Sequence, residues 1–300
     1  MRNTIIRTLI ELAEKDSSIM LLTGDLGYAV LEPFREKYPK QFCNIGIAEQ
    51  NMAGVAAGLA LEGKKVFFYS IGNFPTLRCM EQIRYDICYH NLNVKIIAVG
   101  SGYAYGPLGA SHHTTEDLGM LRTIPNLIVA APGDPIEVDA IARYLVQTNK
   151  PAYIRINKAG ERTIHKSNVI MTGDDIFKII KGQGTAVLTT GAMLEYTNNF
   201  ILEHKTNWSL YSVPFLNNVD EQSLASILKS HARIITIEEH QLNSGFGSMV
   251  LERVNELYVL NKITKMPYIH RVGINNEFIS TAGTQEFLRK KAGIILDQFL

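Results

Sequence analysis

Short apolar runs that alternate with helix-length segments constrain this chain more than any other feature. Residues 19–23, 65–70, 94–100, 127–130 and 153–156 are nearly continuous in apolar residues, and glycine, proline or asparagine follows closely. A strand that is apolar on both faces must be covered on both faces, which a parallel sheet flanked by helices achieves. Helical spacing over 48–62, 76–90 and 134–148 supplies that cover, and the last segment opens with Asp134-Pro135, an N-cap followed by proline at the first helical position. The pattern weakens from 157 to 175 and then restarts. Strands are expected at 185–190, 208–213 and 233–238, and helices at 194–205, 220–230 and 247–260. The fold class is therefore α/β, with two consecutive domains of mostly parallel sheet. We place them at 1–160 and 183–300, joined by a linker over 161–182.

Charge narrows the range of partners. Thirty Lys and Arg stand against 29 Asp and Glu, giving a formal net charge of +1, so the chain lacks the positive footprint that nucleic acid or an anionic membrane requires. No window approaches the roughly 20 apolar residues of a bilayer span. Cys43, Cys79 and Cys88 have neither disulfide nor metal spacing, which fits a reducing cytoplasm. Small-molecule chemistry is the expectation.

Two places could carry it. His112-His113 follows a Gly/Pro-rich loop after the 94–100 strand. Neighbouring extended residues point in opposite directions and no third ligand is spaced for a metal, so a metal site is not expected. A histidine on such a loop serves chemistry and helix-entry packing equally well. Glu49 lies in the first turn of the 48–62 helix, where the helix dipole alone would favour it. That helix is rich in Ala and Gly and is expected to be buried on nearly every face. A carboxylate desolvated at its mouth can hold or deliver a proton.

These residues sit within longer motifs. Gly46-Ile47-Ala48-Glu49-Gln50-Asn51-Met52-Ala53-Gly54, Glu81-Gln82-Ile83-Arg84, Gly106-Pro107-Leu108-Gly109-Ala110-Ser111-His112-His113 and Ile124-Pro125-Asn126-Leu127 follow one another in order. Together they resemble the pyrimidine-binding domain of transketolases. Tyr153-Ile154-Arg155, and Ile237-Glu238-Glu239-His240 leading to Gly245-Phe246-Gly247-Ser248, resemble the end of that domain and the transketolase C-terminal domain. The resemblance covers essentially the whole chain. It lacks the family's first domain, which grips the cofactor's diphosphate through Mg²⁺; Gly24-Asp25 with Asn51 has part of that motif's spacing, but Leu26 replaces its third glycine.

The resemblance therefore implies the C-terminal subunit of a split transketolase. It would work with an N-terminal subunit that binds thiamine diphosphate and Mg²⁺, in a dimer of heterodimers, and would carry a two-carbon ketol unit from a ketose to an aldose. Glu49 would meet the cofactor's aminopyrimidine, with Ile47, Gln50 and Phe74 beside it. His112 would lie by the cofactor and the sugar oxygens, with His113 and Arg155 as further substrate contacts. The family's stacking aromatic, counted from Glu49, falls on Gly72. Leu108 stands where an acidic residue commonly reads a sugar hydroxyl, which implies a different donor or acceptor. The β subunit of a 2-oxoacid dehydrogenase, a deoxyxylulose-phosphate-synthase-like enzyme and a non-catalytic scaffold are the alternatives.

Overall fold

In the computed structural model, which describes residues 1–300, the apolar runs become strands of two sheets, all of them inner strands except the 127–130 run, which forms an edge. The first contains β1 (Ile19–Thr23), β2 (Phe42–Asn44), β3 (Lys65–Ile71), β4 (Val94–Val99), β5 (Ile128–Ala130) and β6 (Ala152–Ile156). Their order is β2-β1-β3-β4-β6-β5, all parallel, with Ile96 opposite Phe68 on one side and Tyr153 on the other. The same half of the chain carries helices α1 (Arg2–Ala13), α2 (Glu32–Lys37), α3 (Glu49–Leu61), α4 (Met80–Gln82), α5 (Asp117–Leu121) and α6 (Pro135–Gln147).

Successive strand residues face opposite ways. Phe67, Ile97 and Ile154 pack with Ile5 and Leu9 of α1 and Val138 and Ile141 of α6, whereas Val66, Phe68 and Ile96 pack with Met52, Ala53 and Ala56 of α3. Every residue of β4 is buried, Lys95 included. Its Nζ donates to the carbonyls of Thr148 and Lys150 at 3.0 and 2.8 Å, and burial pushes the ammonium down to about 7.

Two expectations need correction here. α3 is covered on one face only: Gln50, Asn51, Gly54, Gly58 and Leu61 are exposed, because the sheet reaches only the stripe from Glu49 through Met52 to Ala57. The 76–90 segment is not one α-helix. After α4 it winds as a π-helix over Ile83–Tyr89, which turns Ile83, Ile87 and Cys88 inward.

The second sheet holds β7 (Phe177–Ile180), β8 (Thr185–Thr189), β9 (Ser209–Ser212), β10 (Arg233–Gln241) and β11 (Ile269–Ile274), in the order β11-β10-β8-β9-β7. All pairings are parallel except that of β7 with β9. Helices α7 (Met193–His204), α8 (Glu221–Ser230), α9 (Phe246–Val259) and α10 (Gln285–Lys291) complete this half. β7 lies inside the segment expected to be a linker; as an edge strand it pairs on one side only and needs little apolar sequence to form. No helix is long and apolar enough to cross a membrane.

The segment between the domains is tied down by a buried charge cluster. Asp134 caps α6 by accepting from the Glu137 amide at 2.9 Å, and its other oxygen accepts from the amides of Ile164 and His165, both at 2.8 Å. His165 Nδ1 lies 3.1 Å from the same oxygen, and Nε2 lies 3.5 Å from Glu137 Oε1. Burial would raise Asp134, but the hydrogen bonds from His165 prevail and hold it at about 2; burial pushes Glu137 up to about 7.

The domains themselves meet along β10. The Arg155 Nη2 donates to the carbonyls of Thr114 and Glu239, both at 2.7 Å, and its Nε lies 3.4 Å from Asp117, which also accepts from the Tyr153 hydroxyl. The Glu239 carboxylate accepts from the Tyr103 amide at 2.9 Å and from Arg289 at 2.6 Å. His240 Nε2 accepts from the Gly119 amide at 3.1 Å, and burial holds the ring below the ordinary histidine range.

Candidate active site

In open parallel sheets, ligands bind beyond the carboxyl ends of the strands, where loops diverge. The turns after β2, β3 and β4 deliver Glu49, Phe74 and His112 to that edge. The first turn is built around Asn44, whose Oδ1 accepts from the amides of Asp25 and Gly46, at 2.9 and 3.0 Å. Gly46, at φ +80°, then reverses the chain into α3, so Glu49 stands in the first helical turn among unpaired amides. It is 4% exposed.

The turn after β3 is closed by Gly72 and Thr76, whose hydroxyl donates to the Gly72 carbonyl at 2.7 Å. A side chain at Gly72 has no room, since a Cβ there would lie 1.9 Å from Thr114 Oγ1. The aromatic at this edge is Phe74. Asn73 donates to the carbonyls of Ser111 and His113, which brings the histidine loop across the turn. As a result the rings of Phe74 and His112 meet edge to face, with centroids 5.4 Å apart.

The two histidines diverge. His112 is half-buried, with Nδ1 3.0 Å from the Ser111 hydroxyl. His113 turns inward against the Tyr103 ring at 4.9 Å, and burial lowers its pKa. Ile47, Gln50 and Leu108 are exposed around the mouth, Ile47 at 79%. Arg155, expected to touch substrate, is buried and committed to the interdomain contacts described above, because β6 runs through the interior and ends beneath the loop.

One residue was missed from the sequence. The Arg78 guanidinium lies 4.1 Å above the Phe74 ring and donates from Nη1 to Glu49 Oε2 at 3.2 Å, while remaining half exposed. The pair joins residues 29 positions apart, so no local pattern announces it. A flat cationic donor thus rests on the aromatic ring and on the buried carboxylate together.

The family model described as the transketolase pyrimidine-binding domain matches residues 1–162, and that of the transketolase C-terminal domain matches residues 178–294. The chain belongs to the transketolase family. It is 33% identical over 278 residues to a subunit of the apulose-4-phosphate transketolase of Phocaeicola vulgatus, covering 89% of this chain and 87% of that one. A putative transketolase C-terminal section of Methanocaldococcus jannaschii is 32% identical over 302 residues, covering 96% and 90%. A structure described as a split gene transketolase, inactive beta4 tetramer, superposes with a TM-score of 0.86 at 30% identity, over 98% of this chain and 93% of that chain. This transketolase chain therefore has the extent of separately encoded subunits, and its fold sets Glu49 in the helix that follows the second strand.

Proposed function

We propose that this chain supplies the pyrimidine-binding half of a thiamine diphosphate site and completes an active enzyme with a separate chain that binds the cofactor's diphosphate and Mg²⁺. The observation that carries this reading is Glu49, a buried carboxylate linked through Arg78 to the Phe74 ring at the sheet's carboxyl edge. The residues fit the group, because the planar Arg78 guanidinium already lies over Phe74 while bonding Glu49, so a flat ring in its place would meet the same aromatic face and the same carboxyl group. When bound, thiamine diphosphate supplies the carbon nucleophile that takes a two-carbon ketol unit from a ketose and hands it to an aldose.

Glu49 holds a proton at the aminopyrimidine ring nitrogen, where burial makes the interaction stronger than it would be in water. Phe74 fixes the plane of the ring, with Ile47 and Gln50 at the mouth. His112 is half exposed on the loop above and moves protons at the sugar oxygens, Ser111 orienting its Nδ1. His113 backs the loop from within. The exposed Leu108 offers no acceptor to a sugar hydroxyl, so the sugars differ from those that need an acidic contact there. The expected assembly is a cytoplasmic heterotetramer, a dimer of heterodimers.

The test is reconstitution. The purified chain alone should bind thiamine diphosphate poorly and transfer no ketol unit, and addition of a diphosphate-binding partner chain should restore both. Turnover by the isolated chain would sink the shared-site reading. Release of carbon dioxide from a 2-oxoacid by the assembled pair, without ketol transfer, would move the chain to the oxoacid dehydrogenase class.

A further inference from the structure

Arg78 takes in the free chain the two neighbours that a bound aminopyrimidine would need. Its guanidinium is planar, lies 4.1 Å over the Phe74 ring, and donates a hydrogen bond to Glu49 Oε2 at 3.2 Å. Those are the two contacts, one stacking and one polar, that define the slot. The side chain is 51% exposed and Glu49 only 5%, so the arginine borders solvent and the carboxylate lies beneath it. The arginine can leave for solvent along its own stem, whereas Glu49 is held by the helix.

We propose that Arg78 is an internal stand-in for the aminopyrimidine: it fills the slot between Glu49 and Phe74 in the free chain and must swing out before the cofactor can enter. The stand-in gives the unassembled subunit a partner for its buried carboxylate, which would otherwise be left uncompensated. It also opposes premature occupation, because any ligand must displace an ion pair and a cation–π contact before gaining its own. The inference rests on the reading of Glu49 given above.

The experiment uses the free chain and 4-amino-2-methylpyrimidine as the probe, titrated by NMR. Arg78→Ala and Arg78→Gln should bind the probe about tenfold more tightly than the wild type, the combined worth of one half-exposed ion pair and one cation–π contact. Arg78→Lys, which keeps the charge but cannot stack flat, should fall between them. Adding Glu49→Gln to Arg78→Ala should remove the gain. Melting curves recorded beside each titration identify variants that have lost the fold. Equal binding by wild type and Arg78→Ala, or binding by neither, overturns the stand-in, and the role of Glu49 is then decided by the reconstituted enzyme alone. A gain in Arg78→Ala that survives Glu49→Gln overturns both the stand-in and the pyrimidine reading of Glu49.

Discussion

Two groups of charged side chains in this protein look alike in composition and differ in every other respect. Asp134 and Glu137 are fully buried, the His165 side chain is nearly so, and Asp134 alone accepts from three backbone amides. Glu49 and Arg78 form a single pair at the sheet's carboxyl edge, one member buried and the other half exposed. In the first group Asp134 is held at about 2 and Glu137 raised to about 7. Yet it is closed: its partners are the cap of a helix and the strap that joins two domains. The second is open toward a surface where other residues of the chain converge. Perturbed titration marks burial, whereas a site also needs a direction from which something can arrive.

That contrast can be broken by substitution. Glu49→Gln should reduce kcat of the reconstituted enzyme by about 10²–10⁴-fold. Its melting temperature should scarcely move, since a half-exposed ion pair contributes little to stability. Asp134→Ala should do the reverse. Loss of the cap and of the strap's hydrogen bonds should cost about 3 kcal/mol in denaturant unfolding, with turnover per folded molecule preserved. If Asp134→Ala instead lowered kcat at unchanged stability, the closed cluster would have to be counted as part of the site. Gly72→Ala should cost about 2 kcal/mol, because a Cβ 1.9 Å from Thr114 Oγ1 forces the turn after β3 to shift. It should also weaken cofactor binding by displacing Phe74.

The smallest effect concerns pH. Asp134 is held at about 2 against its ordinary 3.8, so the folded state binds its proton less readily than the unfolded chain. Its contribution is therefore complete above pH 4 and is lost as pH falls toward 2, amounting to about 2 kcal/mol. Comparing stability from pH 5 to 2 in the wild type and in Asp134→Asn should reveal a steeper acid decline in the wild type. Equal slopes would show that the cluster is not coupled to protonation.

Much of this was legible in the sequence. The runs at 19–23, 65–70 and 153–156 match inner strands to within a residue, because strands covered on both faces leave an apolar signature that nothing else interrupts. The Asp134 cap and the helix after it were equally clear. β2 and β11 were not, since an edge strand of three residues and one carrying His270 and Arg271 lack that signature. Among candidate site residues, Glu49 was singled out by its place in the first turn of an Ala/Gly-rich helix and His112 by its loop after a strand. Phe74 was visible as a nearby aromatic, while the reason for preferring it, the crowding of Gly72 by Thr114, depends on a contact between distant loops. Arg78 and the true setting of Arg155 were invisible for the same reason. Both are defined by groups far away in the chain, and an arginine reads the same whether it faces solvent or a buried carboxylate.

The contact along β10 bears on how such a chain can be divided. The backbone of the loop carrying His112 is pinned at Tyr103 by a carboxylate of the other domain, while Thr115 accepts from the Gln241 amide and Gly106 from that of Gly283. A fragment ending near residue 162 would retain Glu49 and Phe74, and Arg155 would keep Asp117 and Thr114, but it would lose the Glu239 carbonyl and leave the histidine loop without its anchor. The two domains hold together as one unit, and the seam along which this enzyme can be taken apart does not run between them.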